Sequence, residues 1–299
     1  MQQDSDSTKA SLSGIFSFFF RLDSLRTCST KMSASPYIVG PLTGHAHTHT
    51  TILLHGRDSN AQEFTSEFFE CEATGPEADR TLPALFPTVR WVFPQATPLH
   101  SERFNVEMSQ WFDMWSVENA QERMELQVPG LLSSVASIRD LIREEELLVP
   151  RKRMFLGGIS QGFATAMAAF FADGHGGFAG LCGFCSWLPL ADEAALIMAK
   201  EGLEQRQHMQ RLYANSDAEQ QKKPSPVQLI STPILLEHCQ DDEVVPMGNG
   251  ERMRDLLGRL GLNVEWHEYE DGGHWINEPQ GVDDFVRFLR DKLHRVDAR

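Results

Sequence analysis

With 299 residues and 41% hydrophobic side chains, the chain can fill one large core or two small ones, which excludes a fibrous or wholly disordered protein. A formal net charge of -15 repels phosphate backbones and anionic lipid, so no nucleic acid and no stable membrane insertion is expected. Its five cysteines are odd in number and lie mostly in apolar stretches, the pattern of buried thiols in a reducing, cytoplasmic setting.

At the amino terminus, the apolar patch 15–20 (IFSFFF) falls far short of the ~20 residues a membrane-spanning helix needs. Asp4 and Asp6 ahead of the single Lys9 do not make the basic leader of a signal peptide. Residues 1–36 therefore read as a disordered tail or an extension of doubtful origin, with Met32 opening a stretch that would itself make a sensible start; 37–299 read as one folded domain. His45, His47 and His49 alternate, and on a strand they would share one face and could bind a metal; they read instead as an exposed entry strand, and no metal is expected.

From there, apolar runs of strand length alternate with longer amphipathic stretches. Strands are predicted at 51–54, 90–93, 154–156, 181–184, 234–237 and 264–269, and helices at 131–147, 163–171, 248–260 and 282–293. That alternation is the signature of an α/β fold: a mostly parallel central sheet with helices on both faces. Two polar insertions interrupt it. Residues 94–127 carry Trp111 and Trp115 among Met and Phe, a composition suited to walling a substrate pocket, whereas 201–228, rich in Gln, Lys and Ser, read as a solvated excursion. The basic run 151–153 reads as solvated, and Cys182 and Cys185, although spaced C-x-x-C, read as buried small residues on an interior strand and its exit.

The chemistry concentrates at Gly158-Ile159-Ser160-Gln161-Gly162, a G-x-S-x-G pattern. A serine on a very tight strand-to-helix turn is strained, and side chains two positions to either side would strike neighbouring backbone, so small residues are required at both outer positions. The flanks supply that frame, with MFL before and the alanine-rich FATAMAAFF after. A hydroxyl is a poor nucleophile at neutral pH and needs a base held by a third group. Downstream, the acidic run Asp241-Asp242-Glu243 follows the strand PILLEH, and Gly272-Gly273-His274 follows VEWHEYE. Spacing alone does not choose among the three carboxylates. The order Ser, acid, His along the chain matches α/β-hydrolases and differs from the other two serine-triad orders. An oxyanion hole needs two donors: the N–H of Gln161, next after the serine, and one from the loop 53–60, where Arg57 would donate through its backbone.

The pieces LLHGRDSNAQEF, FPQATP, Trp111-Phe112-Asp113, GGISQGFA, CSWLP, HCQDDEVVP and YEDGGHW run in order from about residue 50 to 275. Together they resemble the phospholipase/carboxylesterase family of α/β-hydrolases, which includes acyl-protein thioesterases. The resemblance implies a cofactor-free serine hydrolase acting on a small-molecule ester or an acyl-thioester, acylated proteins included. It implies Ser160, Asp242 and His274 as catalytic triad and Arg57 and Gln161 as backbone oxyanion donors. Trp115, Trp187 and Leu188 are the expected substrate contacts. Phe163, Cys239 and Asp58 stand where the family often has glycine, which bears on the shape of the acyl pocket and removes no catalytic atom. Two alternatives share the scaffold, a serine peptidase and a non-catalytic binding protein; a complete set of triad and oxyanion positions argues against the second.

Overall fold

The computed structural model describes residues 35–197, 200, 202–214 and 226–296; of the predicted tail 1–36, residues 1–34 lie outside them. In chain order, β1 (Tyr37–Val39) and β2 (His49–Leu54) lead into α1 (Ala61–Glu70), α2 (Leu82–Leu85) and β3 (Val89–Phe93). A short hairpin follows, β4 (Pro98–Ser101) with β5 (Val106–Ser109), and then the long α3 (Gln127–Glu146). Next come β6 (Met154–Ile159), α4 (Gln161–Asp173), β7 (Gly180–Phe184), α5 (Ala191–Ile197), α6 (Gly202–Tyr213) and α7 (Pro226–Ser231). The chain closes with β8 (Pro233–Cys239), α8 (Met247–Arg259), β9 (Asn263–Tyr269) and α9 (Gln280–Val296).

Seven strands form one sheet in the order β1-β3-β2-β6-β7-β8-β9, and only the β1–β3 edge pairing is antiparallel. The strand sequences explain its two cores. Ile52, Leu54, Met154, Leu156, Ile234 and Leu236 face one side and pack with α3, α4, α6 and α8. Their neighbours Leu53, Phe155 and Leu235 face the other and pack with α1 and α9. Period-two alternation of apolar residues toward both faces is what a doubly covered parallel sheet requires. Each fully buried Leu, Ile or Phe contributes roughly 2 kcal/mol of transfer free energy. The α/β-hydrolase architecture expected from the sequence is thus the one observed.

Three elements correct the sequence reading. The insertion 201–228 is not simply a solvated excursion: α6 buries Met209, Leu212 and Tyr213, and Tyr213 stacks on Phe171 with centroids 5.8 Å apart and donates its hydroxyl to Pro189 O at 2.6 Å. Only three apolar residues at helical spacing carry that contact, and the surrounding Gln and Arg masked them. Residues 215–225 lie outside the described part. The basic run 151–153 is likewise more than a solvated patch, since Arg151 pairs with Glu146 at 2.6 Å and with Asp173. Finally, β2 begins only at His49, while His45 is exposed and His47 Nε2 bonds Thr50 Oγ1 at 3.0 Å, so the three histidines share no strand face.

Candidate active site

Ser160 stands between β6 and α4 with φ 55° and ψ -129°, a conformation an L-residue holds only when its surroundings force it. The forcing is visible on both sides. A Cβ at Gly158 would lie 2.4 Å from Leu54 O, and one at Gly162 would lie 2.3 Å from Leu54 O and 2.4 Å from His55 O. The backbone of Ser160 is held as well: its N–H donates to Phe184 O at 2.9 Å, and its carbonyl accepts from Ser186 Oγ at 2.7 Å. Ser186 went unnoticed in the sequence because a serine after a strand carries no signal by itself.

Of the three adjacent carboxylates, Asp242 is the one bonded to His274, with Oδ2 2.8 Å from Nδ1. Its Oδ1 accepts from the N–H groups of Val244 and Val245 at 2.9 and 2.8 Å, while His238 Nε2 lies 3.3 Å from Oδ2 and 2.8 Å from Val245 O. Burial alone would raise this carboxyl's pKa, but the bonds from His238 and His274 hold it well below the usual carboxylate range. Asp242 is therefore a fixed anion. Asp241 serves differently, accepting the N–H of Gly273 at 2.8 Å and so latching the turn that presents the histidine. That turn uses positive φ at Gly272 (125°) and Gly273 (62°) to bring His274 over the sheet's carboxyl edge.

Ser160 and His274 line one cleft of about 330 Å³, together with Gly56, Arg57, Asp58 and the apolar Phe64, Phe104, Met108, Val117, Ile159, Val244 and Trp275. The hairpin of the first insertion contributes Phe104 and Met108, so that segment does wall the pocket. The expected contacts Trp115, Trp187 and Leu188 do not line it. Trp187 and Leu188 are buried in the core at 2% and 1% exposure, just beyond Cys185, which holds a positive φ of 48° after β7. Trp115 instead stacks under the Arg123 guanidinium at 4.7 Å.

The loop after β2 is set by His55. Its Nε2 accepts the N–H of Ala96 at 3.1 Å, which leaves the proton on Nδ1 to donate to Gly56 O at 2.7 Å. In a planar trans peptide the Arg57 N–H points opposite the Gly56 carbonyl, so this bond fixes the direction of the expected oxyanion donor. Burial lowers the His55 pKa to about 4, keeping the ring neutral. An ordinary histidine pKa of about 6.5 in the unfolded chain means acid favours unfolding. The stability contributed by neutral His55 is complete above about pH 6.5 and is lost as pH falls toward 4, a swing of about 3 kcal/mol. Urea midpoints measured from pH 8 to 4.5 should decline across that window, and the decline should shrink in His55→Gln. An unchanged pH profile in that variant refutes the assignment.

Among the described residues, Cys185, His238 and Asp242 bring three potential metal-ligand atoms within 4.8 Å of one another. Each is already engaged: Cys185 Sγ contacts Trp275 O at 3.3 Å, and His238 and Asp242 hold the bonds above. The same site geometry uses no donor set arranged around an open position, as catalytic zinc requires. Cys71, Cys182, Cys185 and Cys239 are buried free thiols, and burial pushes Cys182 well above the usual thiol range. No helix among the described residues is long and apolar enough to cross a membrane.

Known proteins place this arrangement in context. Acyl-protein thioesterase 1 of Yarrowia lipolytica is 28% identical over 255 residues, covering 83% of this chain and 93% of that protein. Its Neurospora crassa counterpart is 27% identical over 256 residues, covering 84% and 89%. Among solved structures, Zea mays acyl-protein thioesterase 2 superposes with a TM-score of 0.61 at 23% identity, over 87% of this chain and 99% of that one. Esterase PE8 gives 0.60 at 19% identity, over 88% and 99%. At those identities the structural matches establish the fold. The phospholipase/carboxylesterase profile matches residues 41–217 and 195–293, most of the described chain, and the protein therefore belongs to the phospholipase/carboxylesterase family.

Proposed function

We propose that this family member cleaves carboxylic esters or thioesters through an acyl-enzyme on Ser160, with His274 as general base and Asp242 as the residue that orients it. The observation that carries the reading is the 2.8 Å bond from His274 Nδ1 to Asp242, which leaves Nε2 free to act in the cleft that Ser160 also lines. Ser160 Oγ attacks the acyl carbonyl while His274 takes its proton, then passes it to the departing alkoxide or thiolate. Water, deprotonated by the same histidine, releases the acid. The N–H groups of Arg57 and Gln161 receive the developing oxyanion.

The cleft's apolar wall suits an acyl chain, and the relatives' thioesterase activity supports acylated proteins or small acyl-thioesters as substrates. A cytosolic setting belongs to the proposal; the buried free thiols and the acidic composition support it. A fluorophosphonate probe should label folded protein at Ser160 and fail to label Ser160→Ala. Absence of labelling in the folded wild type overturns the reading in favour of a binding protein. Long-chain acyl thioesters, short aryl esters and lysophospholipids then rank the substrates, and kcat/KM falling steadily with acyl length excludes a depalmitoylase.

A further inference from the structure

The two residues assigned to the oxyanion hole contribute more than backbone. Their side chains both reach the same short segment, 110–113. The Gln161 amide is fully buried and bonds that segment at both ends: Oε1 accepts the Trp111 N–H at 2.8 Å and Nε2 donates to Phe112 O at 2.8 Å. Arg57 reaches it as well, with Nε donating to Gln110 Oε1 at 2.9 Å, Nη2 donating to Ser101 Oγ at 3.1 Å, and Asp113 Oδ1 3.6 Å from Nη2. Burial would weaken the Arg57 charge, and the Asp113 carboxylate opposes that.

Segment 110–113 is itself immobilised. Trp111 Nε1 donates to His55 O at 2.8 Å, Ser134 Oγ bonds Trp111 O at 2.5 Å, and Phe112 packs so close to Gly130 that a Cβ there would lie 2.8 Å from Phe112 Cα. Gln110 is fully buried with every polar atom committed: beyond Arg57, its Nε2 donates to Leu99 O at 3.2 Å and to His100 O at 3.4 Å. A buried amide satisfied on both ends resists displacement, since losing one partner leaves the other uncompensated. One further bond, Asp58 N–H to Ser109 O at 2.7 Å, ties the loop to the same hairpin.

We propose that segment 110–113 is the common reference holding both oxyanion donors at their separation, and that Gln110 is a positioning residue for the hole, acting through Arg57. The assignment rests on the reading of Ser160 as nucleophile. Oxyanion donors act on charge that exists only in the transition state, so mispositioning one lowers kcat without weakening substrate binding.

Gln110→Met, isosteric but unable to accept from Arg57, should lower kcat about tenfold, below the ~10²-fold of losing a donor outright, with KM within about twofold. Affinity for an aryl boronic acid, whose tetrahedral adduct on Ser160 places an anionic oxygen in the hole, should fall by the same factor while the product acid binds unchanged. Arg57→Met should do likewise, and the double variant should fall about tenfold rather than a hundredfold, because both changes break one link. The proposal is overturned if the two losses multiply, if KM rises with kcat intact, or if folded Gln110→Met retains wild-type kcat and boronate affinity. A wild type that neither hydrolyses esters nor takes the fluorophosphonate at Ser160 defeats the functional reading instead, and the two failures are thereby separable.

Discussion

His274→Ala should lower kcat about 10⁶-fold and leave the thermal midpoint within a few degrees of wild type. The first half follows from chemistry: without the imidazole, the Ser160 proton has no acceptor, and binding plus the oxyanion donors alone sustain the residual rate. The second half follows from geometry. His274 keeps 22% of its side chain exposed, and Asp242 retains the N–H groups of Val244 and Val245 and the proximity of His238 when the ring is removed. No buried charge is left bare, which is the circumstance that makes deletion of an ion-pair partner costly. Steady-state kinetics on long- and short-chain substrates, with circular dichroism melting on the same samples, tests both halves; turnover within a hundredfold of wild type would sink His274 as the base.

The frame of the proposed nucleophile was legible because crowding leaves few options: glycine at 158 and 162, an apolar strand before and an alanine-rich helix after. Strand positions in the sheet's middle were legible for the same reason, since a doubly covered strand must be apolar throughout. Less was visible where the signal depends on partners distant in sequence. Nothing local distinguishes Asp242 from Asp241 or Glu243; only the fold shows that Asp242 meets His274 while Asp241 meets Gly273. Trp187 and Leu188 read as substrate contacts although large apolar residues near a site are ambiguous between core and pocket, and the fold buries both in the core. Gln110, His55 and Ser186 act by bonds spanning from one to more than fifty residues, and a lone polar side chain in a sequence gives no hint of its partner. Helix α1 was missed although Asn60 caps it, its Oδ1 accepting from Gln62 and Glu63 N–H groups at 3.1 and 2.9 Å.

Asp242→Asn should lower kcat about 10⁴-fold, and Asp241→Asn less than about fivefold, although the two carboxylates are adjacent. An asparagine at 242 still accepts the Val244 and Val245 N–H groups through one oxygen, so the loop keeps its shape. What changes is the group facing His274 Nδ1, an N–H donor instead of an anion. The imidazole then places its proton on Nε2, the nitrogen that must accept from Ser160, and the wrong tautomer dominates. Asparagine at 241, by contrast, retains the oxygen that accepts the Gly273 N–H, and the turn stays latched. The pH dependence adds a second criterion. Asp242 is held ionised well below the usual carboxylate range, so its protonation does not limit kcat/KM in the wild type. Raising pH should therefore fail to rescue Asp242→Asn at any value where the protein is folded. Comparable losses in the two variants, or recovery of Asp242→Asn at high pH, would mean that the bond seen between Asp242 and His274 is not the one that orients the base.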